Sequence, residues 1–165
     1  MSGDTSKSAK ESVIENFVAG LKSRSDDIRI SVARELQKYV VTDLQEMSMD
    51  DMTSFVDAFN KHIFDMISSA DTCEKKGGII AIIILVSCDI GNRSSQCTRY
   101  AHFLRNQPTN DTELMELTAF AIGKVALASG QLTTQYVEYE VKRAIEWLGT
   151  DKSETKRHGA VSNHD

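Results

Sequence analysis

The chain has 165 residues, of which 41% are hydrophobic and 26% are charged, and its formal net charge is −5. This is the composition of a soluble globular domain, and its mild acidic excess argues against nucleic acid or an anionic membrane as the partner. One proline and nine glycines provide too few turn signals for a fold of strands and hairpins, so long helices are favoured.

Targeting signals and cysteines limit where the protein works. Residues 1–12 are polar and lack the apolar core of a secretion signal. The apolar run at residues 79–86 is far shorter than the roughly 20 residues that span a bilayer, so direct membrane insertion is not expected. Cys73, Cys88 and Cys97 show no Cys-x-x-Cys spacing, and we predict free thiols in a reducing compartment. We expect a cytoplasmic protein, with the nucleus, or endomembrane surfaces reached through partners, as alternatives.

In chain order, apolar residues recur with helical spacing in consecutive pairs of segments. Residues 1–8 are predicted to be a disordered tail before them, and residues 162–165 a divergent tail after them. Each pair is predicted to form a helical hairpin. The predicted hairpins cover residues 9–46, 50–88, 94–129 and, incompletely, 134–161.

The hairpins repeat with a period near forty residues. Helix starts that resemble capping boxes, at Asp71, Asn110 and Asp151, lie 39 and 41 residues apart, and each has a glutamate three residues later. Small residues, which let a neighbouring helix approach closely, recur inside the second helices. These predicted packing residues are Ala33, Gly77, Gly78, Ala119 and Ala160.

Two helices in a unit of about forty residues are typical of HEAT and armadillo repeats. We therefore predict an all-α fold, an α-α superhelix of about three and a half hairpins in which each hairpin buries one face on the next. The alternative is a compact helical bundle whose spacing matches forty by coincidence.

The sequence shows no recognisable pattern for a catalytic, metal or phosphate site. The sequence contains no nucleophile–base–orienter set, no metal-ligand spacing among its histidines and cysteines, and no phosphate-binding glycine loop. We predict no catalytic residues, no cofactor and no metal. Basic residues do recur early in the second helices, and these candidates for a partner-facing surface are Lys75, Lys76, Lys156 and Arg157. They form either an ordinary solvated face or a docking strip for an acidic partner.

Four stretches of the sequence resemble, in the same order, the N-terminal segment of the target of rapamycin (TOR) serine/threonine kinases. The resemblance runs from about Lys22 to Val161, most of the chain, and its longest stretch ends in Ala-Ile-Glu-Trp-Leu-Gly. The four stretches are residues 35–40, 62–64, 76–82 and 136–149.

This resemblance implies a non-catalytic part of a very large kinase of the phosphatidylinositol-kinase-related class. The catalytic part of such kinases lies far C-terminal to the matched region. Their N-terminal HEAT solenoid is a scaffold that contributes to binding the substrate-recruiting subunit Raptor and to the architecture of the dimer. The partners implied are a Raptor-like subunit or another TOR protomer, and the process is nutrient-controlled growth.

The end of the sequence departs from the repeat pattern. After Val161 the chain reads Ser-Asn-His-Asp, where a continuing helix requires apolar residues. We expect a truncated product whose unfinished hairpin leaves Ile145 and Leu148 partly uncovered and favours self-association. Two alternatives to a scaffold remain: a free-standing regulator that competes with full-length TOR for partners, and a fragment that is classed as a kinase only through its parent.

Overall fold

The structure is a computed structural model whose chain forms two compact units, Met1–Ser129 and Gly130–Asp165. In the second unit the structure describes Gly130 and a helical segment at residues 142–146, while Leu148 and Ala160 lie outside the described residues. The residues that the structure describes are 2–88, 93–108, 110–130 and 142–146.

The described residues of the first unit form three consecutive helical hairpins, in each of which the second helix packs on the first. The first helix begins at Ser2, so residues 2–8 are helical where the sequence predicted a disordered tail. Once a helix has formed in the core, extending it by polar turns costs little free energy, because each added residue gains a backbone hydrogen bond. The helices are α1 (Ser2–Leu21), α2 (Asp26–Val41), α3 (Met49–Ser68), α4 (Thr72–Ser87), α5 (Arg93–Arg105) and α6 (Thr112–Ala128), with a 3-10 turn (Leu44–Glu46) before α3.

Side-chain caps fix where the second helices begin. The side chain of Ser25 accepts a hydrogen bond from the backbone of Ile28, and that of Asp71 accepts from the amides of Cys73 and Glu74. The cap of α6 is Asp111 and not the predicted Asn110, because the extended backbone of Asp111 lets its carboxylate accept from Leu114 at 2.9 Å. The N-cap of the third hairpin's second helix therefore lies one residue later than predicted.

Helix α4 is the centre of the first unit. It packs against α2 and α6 on either side, and also against α1, α3 and α5. Its sequence from Ile79 to Val86 is apolar around the whole circumference, and such a helix has to be buried on all sides. The described residues contain no strand, and the second helices α2, α4 and α6 lie side by side. The predicted fold class, an all-α helical-repeat solenoid, is confirmed.

Residues at the same distance from the N-cap occupy equivalent positions in the second helices. The eleventh residue after each cap is a buried aliphatic residue, namely Leu36, Ile82 and Ile122. By the same count Ala33 and Ala119 are equivalent, but Gly78 comes one residue earlier in its helix. Ala33 is half-buried and Ala119 is exposed, so Ala119 is not the packing residue that the sequence predicted.

The glycine pair of α4 lies where two neighbours come close. A Cβ atom on Gly77 would overlap the backbone carbonyl of Leu21, at the end of α1. A Cβ on Gly78 would lie 2.7 Å from the Cγ1 of Ile67 and 3.1 Å from the carbonyl oxygen of Ile63, both in α3. The absence of side chains therefore allows the first hairpin and α3 to contact the backbone of α4 directly.

We expect Gly77→Ala to lower the free energy of unfolding by about 1–3 kcal/mol, since the new methyl group meets rigid backbone. This net loss already includes the gain of about 1 kcal/mol that alanine brings to a helix interior. The measurement is urea unfolding followed by circular dichroism. Ser31→Ala, at an exposed place in α2, is the matched control and should be neutral or slightly stabilising. A Gly77→Ala protein as stable as the parent would contradict the close contact.

Aromatic and polar contacts join successive hairpins. Phe17, Tyr39 and Phe55 contact one another in series, with ring centroids 5.4 Å apart at each step, and connect α1 and α2 to α3. The hydroxyl of the buried Tyr100 in α5 donates a hydrogen bond to the side-chain oxygen of Asn60 in α3. Burial raises the pKa of Tyr100, which keeps this donor protonated. The amide nitrogen of Asn60 has no partner among the described residues.

We expect Tyr100→Phe to lower the free energy of unfolding by about 1–3 kcal/mol, because it leaves the buried Asn60 amide without any partner. Combining it with Asn60→Leu removes both polar groups, so the double variant should lose less than the sum of the single losses. Urea unfolding of the four proteins gives this coupling. Tyr39→Phe, at a half-buried ring, is the control. Strictly additive losses would mean that the hydrogen bond contributes nothing.

No helix in the described ranges is both long enough and apolar enough to cross a lipid bilayer.

Candidate functional site

A groove of about 440 Å³ crosses the outer face of the second helices. Its lining comes from the first nine residues of α2, α4 and α6, as expected for neighbouring helices that run in the same direction. We call it the second-helix groove. It is lined by Asp26, Arg29 and Ile30 of α2, by Lys76 and Ile80 of α4, and by Glu113, Glu116, Leu117 and Phe120 of α6.

Two large apolar side chains line opposite sides of the groove. Ile30 in α2 is 48% exposed and Phe120 in α6 is 55% exposed, while the half-buried Ile80 of α4 lies between those two helices. The ammonium of Lys124 lies 5.4 Å from the centre of the Phe120 ring, a cation–π contact. Exposed apolar side chains that flank a concave surface are characteristic of protein-binding sites.

The positive charges of the groove are nearly buried and are already paired. The side chain of Arg29 is 5% exposed, donates to the carbonyl oxygen of Ser23 at 2.6 Å and pairs with Asp26. The side chain of Lys76 is 13% exposed, and its ammonium lies 2.8 Å from a carboxylate oxygen of Glu113. Both cations are thus occupied by groups within the first unit.

The carboxylates of the groove, in contrast, are presented to solvent. The side chains of Asp26 and Glu113 are 70% and 71% exposed. Glu116 is also exposed and forms no ion pair within the described part of the chain. The groove therefore has an acidic rim above two buried cations.

Lys75, the other described member of the predicted basic set, serves the fold. Its ammonium donates to the carbonyl oxygen of Ile67 at 2.7 Å, at the C-terminal end of α3, and lies 3.4 Å from the side-chain oxygen of Gln107. The last carbonyls of a helix lack partners inside the helix, so this contact caps α3. Desolvation lowers the pKa of Lys75. Lys156 and Arg157 lie outside the described residues, so the strip of four basic residues stays a prediction.

We expect Lys75→Met to lower the free energy of unfolding by about 1–2 kcal/mol, because the carbonyl of the buried Ile67 loses its donor while the apolar stem is kept. Lys38→Met in α2 is the control, since Lys38 is exposed. Urea unfolding of both variants makes the comparison. Equal, near-zero effects would show that the cap has no energetic value.

The described residues include side chains of the kinds that make up metal sites and reactive thiols. They contain no group of three or more histidine, cysteine or carboxylate side chains that could hold a metal ion. Cys97 is buried, and Cys73 and Cys88 are half-buried free thiols. Burial raises the pKa of Cys88, which makes its thiol a poorer nucleophile at neutral pH.

Known proteins identify the family. No protein-family profile matches the chain. The chain is 35% identical over 146 residues to the serine/threonine-protein kinase tor1 of Schizosaccharomyces pombe, which covers 88% of the chain. It is 35% identical over 153 residues to the serine/threonine-protein kinase mTor of Drosophila melanogaster, covering 91% of the chain. The chain is a homologue of a segment of the TOR kinases.

The extent of these matches defines what the chain contains. The serine/threonine-protein kinase TOR2 of Saccharomyces cerevisiae, 33% identical over 152 residues, covers 86% of the chain. The chain spans about 6% of the length of each of these relatives. The resemblance found in the sequence is confirmed, and the kinase domain of the relatives is not present in these 165 residues.

Proposed function

We propose that the chain is a non-catalytic protein-interaction scaffold, the N-terminal HEAT segment of a TOR kinase, and acts in the assembly of a TOR complex in nutrient and growth signalling. The observation that supports this most directly is the second-helix groove, with Ile30 and Phe120 exposed on a rigid stack of helices. A helical-repeat scaffold offers its partners an extended surface built from neighbouring helices. The homology with TOR kinases suggests the process, which is nutrient and growth signalling.

The partner we propose is a Raptor-like subunit, with a second TOR protomer as the other candidate. Both are large proteins, and both would be met in the cytoplasm. The acidic rim and exposed apolar side chains of the groove match the composition of a non-obligate interface, where apolar anchors are surrounded by polar groups. A role in complex assembly also fits a segment that does not contain the kinase domain, since assembly requires only binding.

Binding of the purified 165-residue chain to a purified Raptor-type subunit tests this proposal. We expect saturable binding by biolayer interferometry, and a shared elution peak in size-exclusion chromatography. A helical-repeat domain of similar size and charge from an unrelated protein is the control for non-specific binding. A folded, monodisperse chain that binds neither the Raptor-type subunit nor a longer TOR protomer above this control would overturn the proposal.

A further inference from the structure

We propose that the second-helix groove binds a basic–apolar segment of a partner protein, in which one or two large apolar side chains lie next to lysine or arginine. This inference rests on the proposed scaffold function and names the chemistry of the segment that the scaffold would recognise. It reverses the partner that Lys75 and Lys76 alone suggest, because an acidic segment would require free cations at the start of the second helices, where Arg29 and Lys76 are already paired.

The charge of the groove selects a basic partner. The two cations of the lining, Arg29 and Lys76, are almost fully buried and engaged by their own carboxylates. Those carboxylates remain more than two-thirds exposed, so each can accept further hydrogen bonds from a bound cation. Glu116 adds a carboxylate without an ion-pair partner in the described ranges. An incoming lysine or arginine can therefore pair with a carboxylate of α2 or of α6 at this end of the groove.

The apolar part of the groove provides the anchor. Ile30 and Phe120 line it from α2 and α6, and Ile80 lines it from α4. A cavity of about 440 Å³ holds one or two large side chains, and covering two half-exposed apolar residues removes their surface from water. A leucine or phenylalanine of the partner fits this place, with its basic neighbour at the acidic rim.

The order of charges in the partner follows from the direction of the helices. Glu113 and Glu116 come early in α6, whereas Lys124 comes eight residues after Glu116, about 12 Å further along the helix. In α2, Arg34 likewise follows Asp26 and is exposed. Along α2 and α6 the face therefore changes from acidic to basic. A partner segment with a basic end, an apolar middle and an acidic end matches this order.

Fluorescence anisotropy with labelled synthetic peptides tests the proposal on the full chain. The first peptide, of about twelve residues or roughly 18 Å as a helix, carries two lysines, then leucine and phenylalanine four residues apart, then two glutamates. The second peptide has the same amino-acid composition in a different order. Serines occupy both of its ends, and its lysines and glutamates are distributed through the middle. The third replaces the lysines by glutamates. We expect the first to bind most tightly, the second more weakly and the third not measurably, and the difference to shrink as salt is added.

Matched variants locate the binding. Phe120→Ala and Ile30→Ala should each weaken binding of the first peptide about tenfold, since each removes an apolar wall of the groove. Glu116→Gln should weaken it several-fold and reduce its salt dependence. Met49→Ala, an exposed apolar residue of α3, and Asp50→Asn, an exposed carboxylate there, are the controls and should change nothing. All five positions are exposed, so the variants should keep the circular dichroism and melting temperature of the parent.

The outcomes separate this inference from the scaffold proposal. Tighter binding of the acidic peptide, or equal binding of the three peptides, would overturn the basic–apolar assignment. So would binding that survives Phe120→Ala and Ile30→Ala unchanged. If the Raptor-type subunit still binds the parent chain in any of these cases, the scaffold function stands and uses another surface. If the peptide binds as described and the Raptor-type subunit does not, the groove stands and serves a different partner.

Discussion

The contact that the rest of the first unit depends on is the one between the bare backbone of α4 and its neighbours. At Gly77 the carbonyl at the end of α1 lies against α4, and at Gly78 the side chains of α3 do the same. Two glycines in one helix cost roughly 1 kcal/mol each in propensity. The apolar run that follows them compensates, because Ile79, Ala81 and Ile82 are all fully buried. The burial of α4 thus offsets the helix propensity that its two glycines lose.

The parts of the fold that could be predicted from sequence are those with a local physical cause. Helical periodicity located the paired helices, and the cap at Asp71 follows from the reach of its side chain to the first free amides. The apolar run of α4 required a buried central helix. The exact repeat register was not predictable, because it depends on backbone conformation at Asp111, and the neighbouring Asn110 has an equally suitable side chain. The helical start of α1 was missed because residues 2–8 lack an apolar pattern.

The candidate site was less accessible from sequence. Lysines at the starts of the second helices were visible, but their tertiary partners were not: Lys75 bonds a carbonyl of α3, and Lys76 pairs with a glutamate of the next hairpin. Nothing in the sequence connects Ile30 with Phe120. The two residues line one groove only because α2 and α6 both pack beside α4 in the fold. Counting from the N-caps offered a signal, since Lys76, Ile30 and Glu116 each come five residues after a cap. Equivalent positions on parallel helices form a row, and such rows build the groove.

The close approach of Leu21 to Gly77 has a consequence for the order of folding during synthesis. The first hairpin ends near Val41, but the surface that covers the end of α1 belongs to a helix that begins at Thr72. Until α4 has been synthesised, the part of the α1–α2 face that α4 covers stays exposed to solvent. A slow-translated stretch or a chaperone acting over this interval would protect that face. The first hairpin therefore becomes native only when the second is complete.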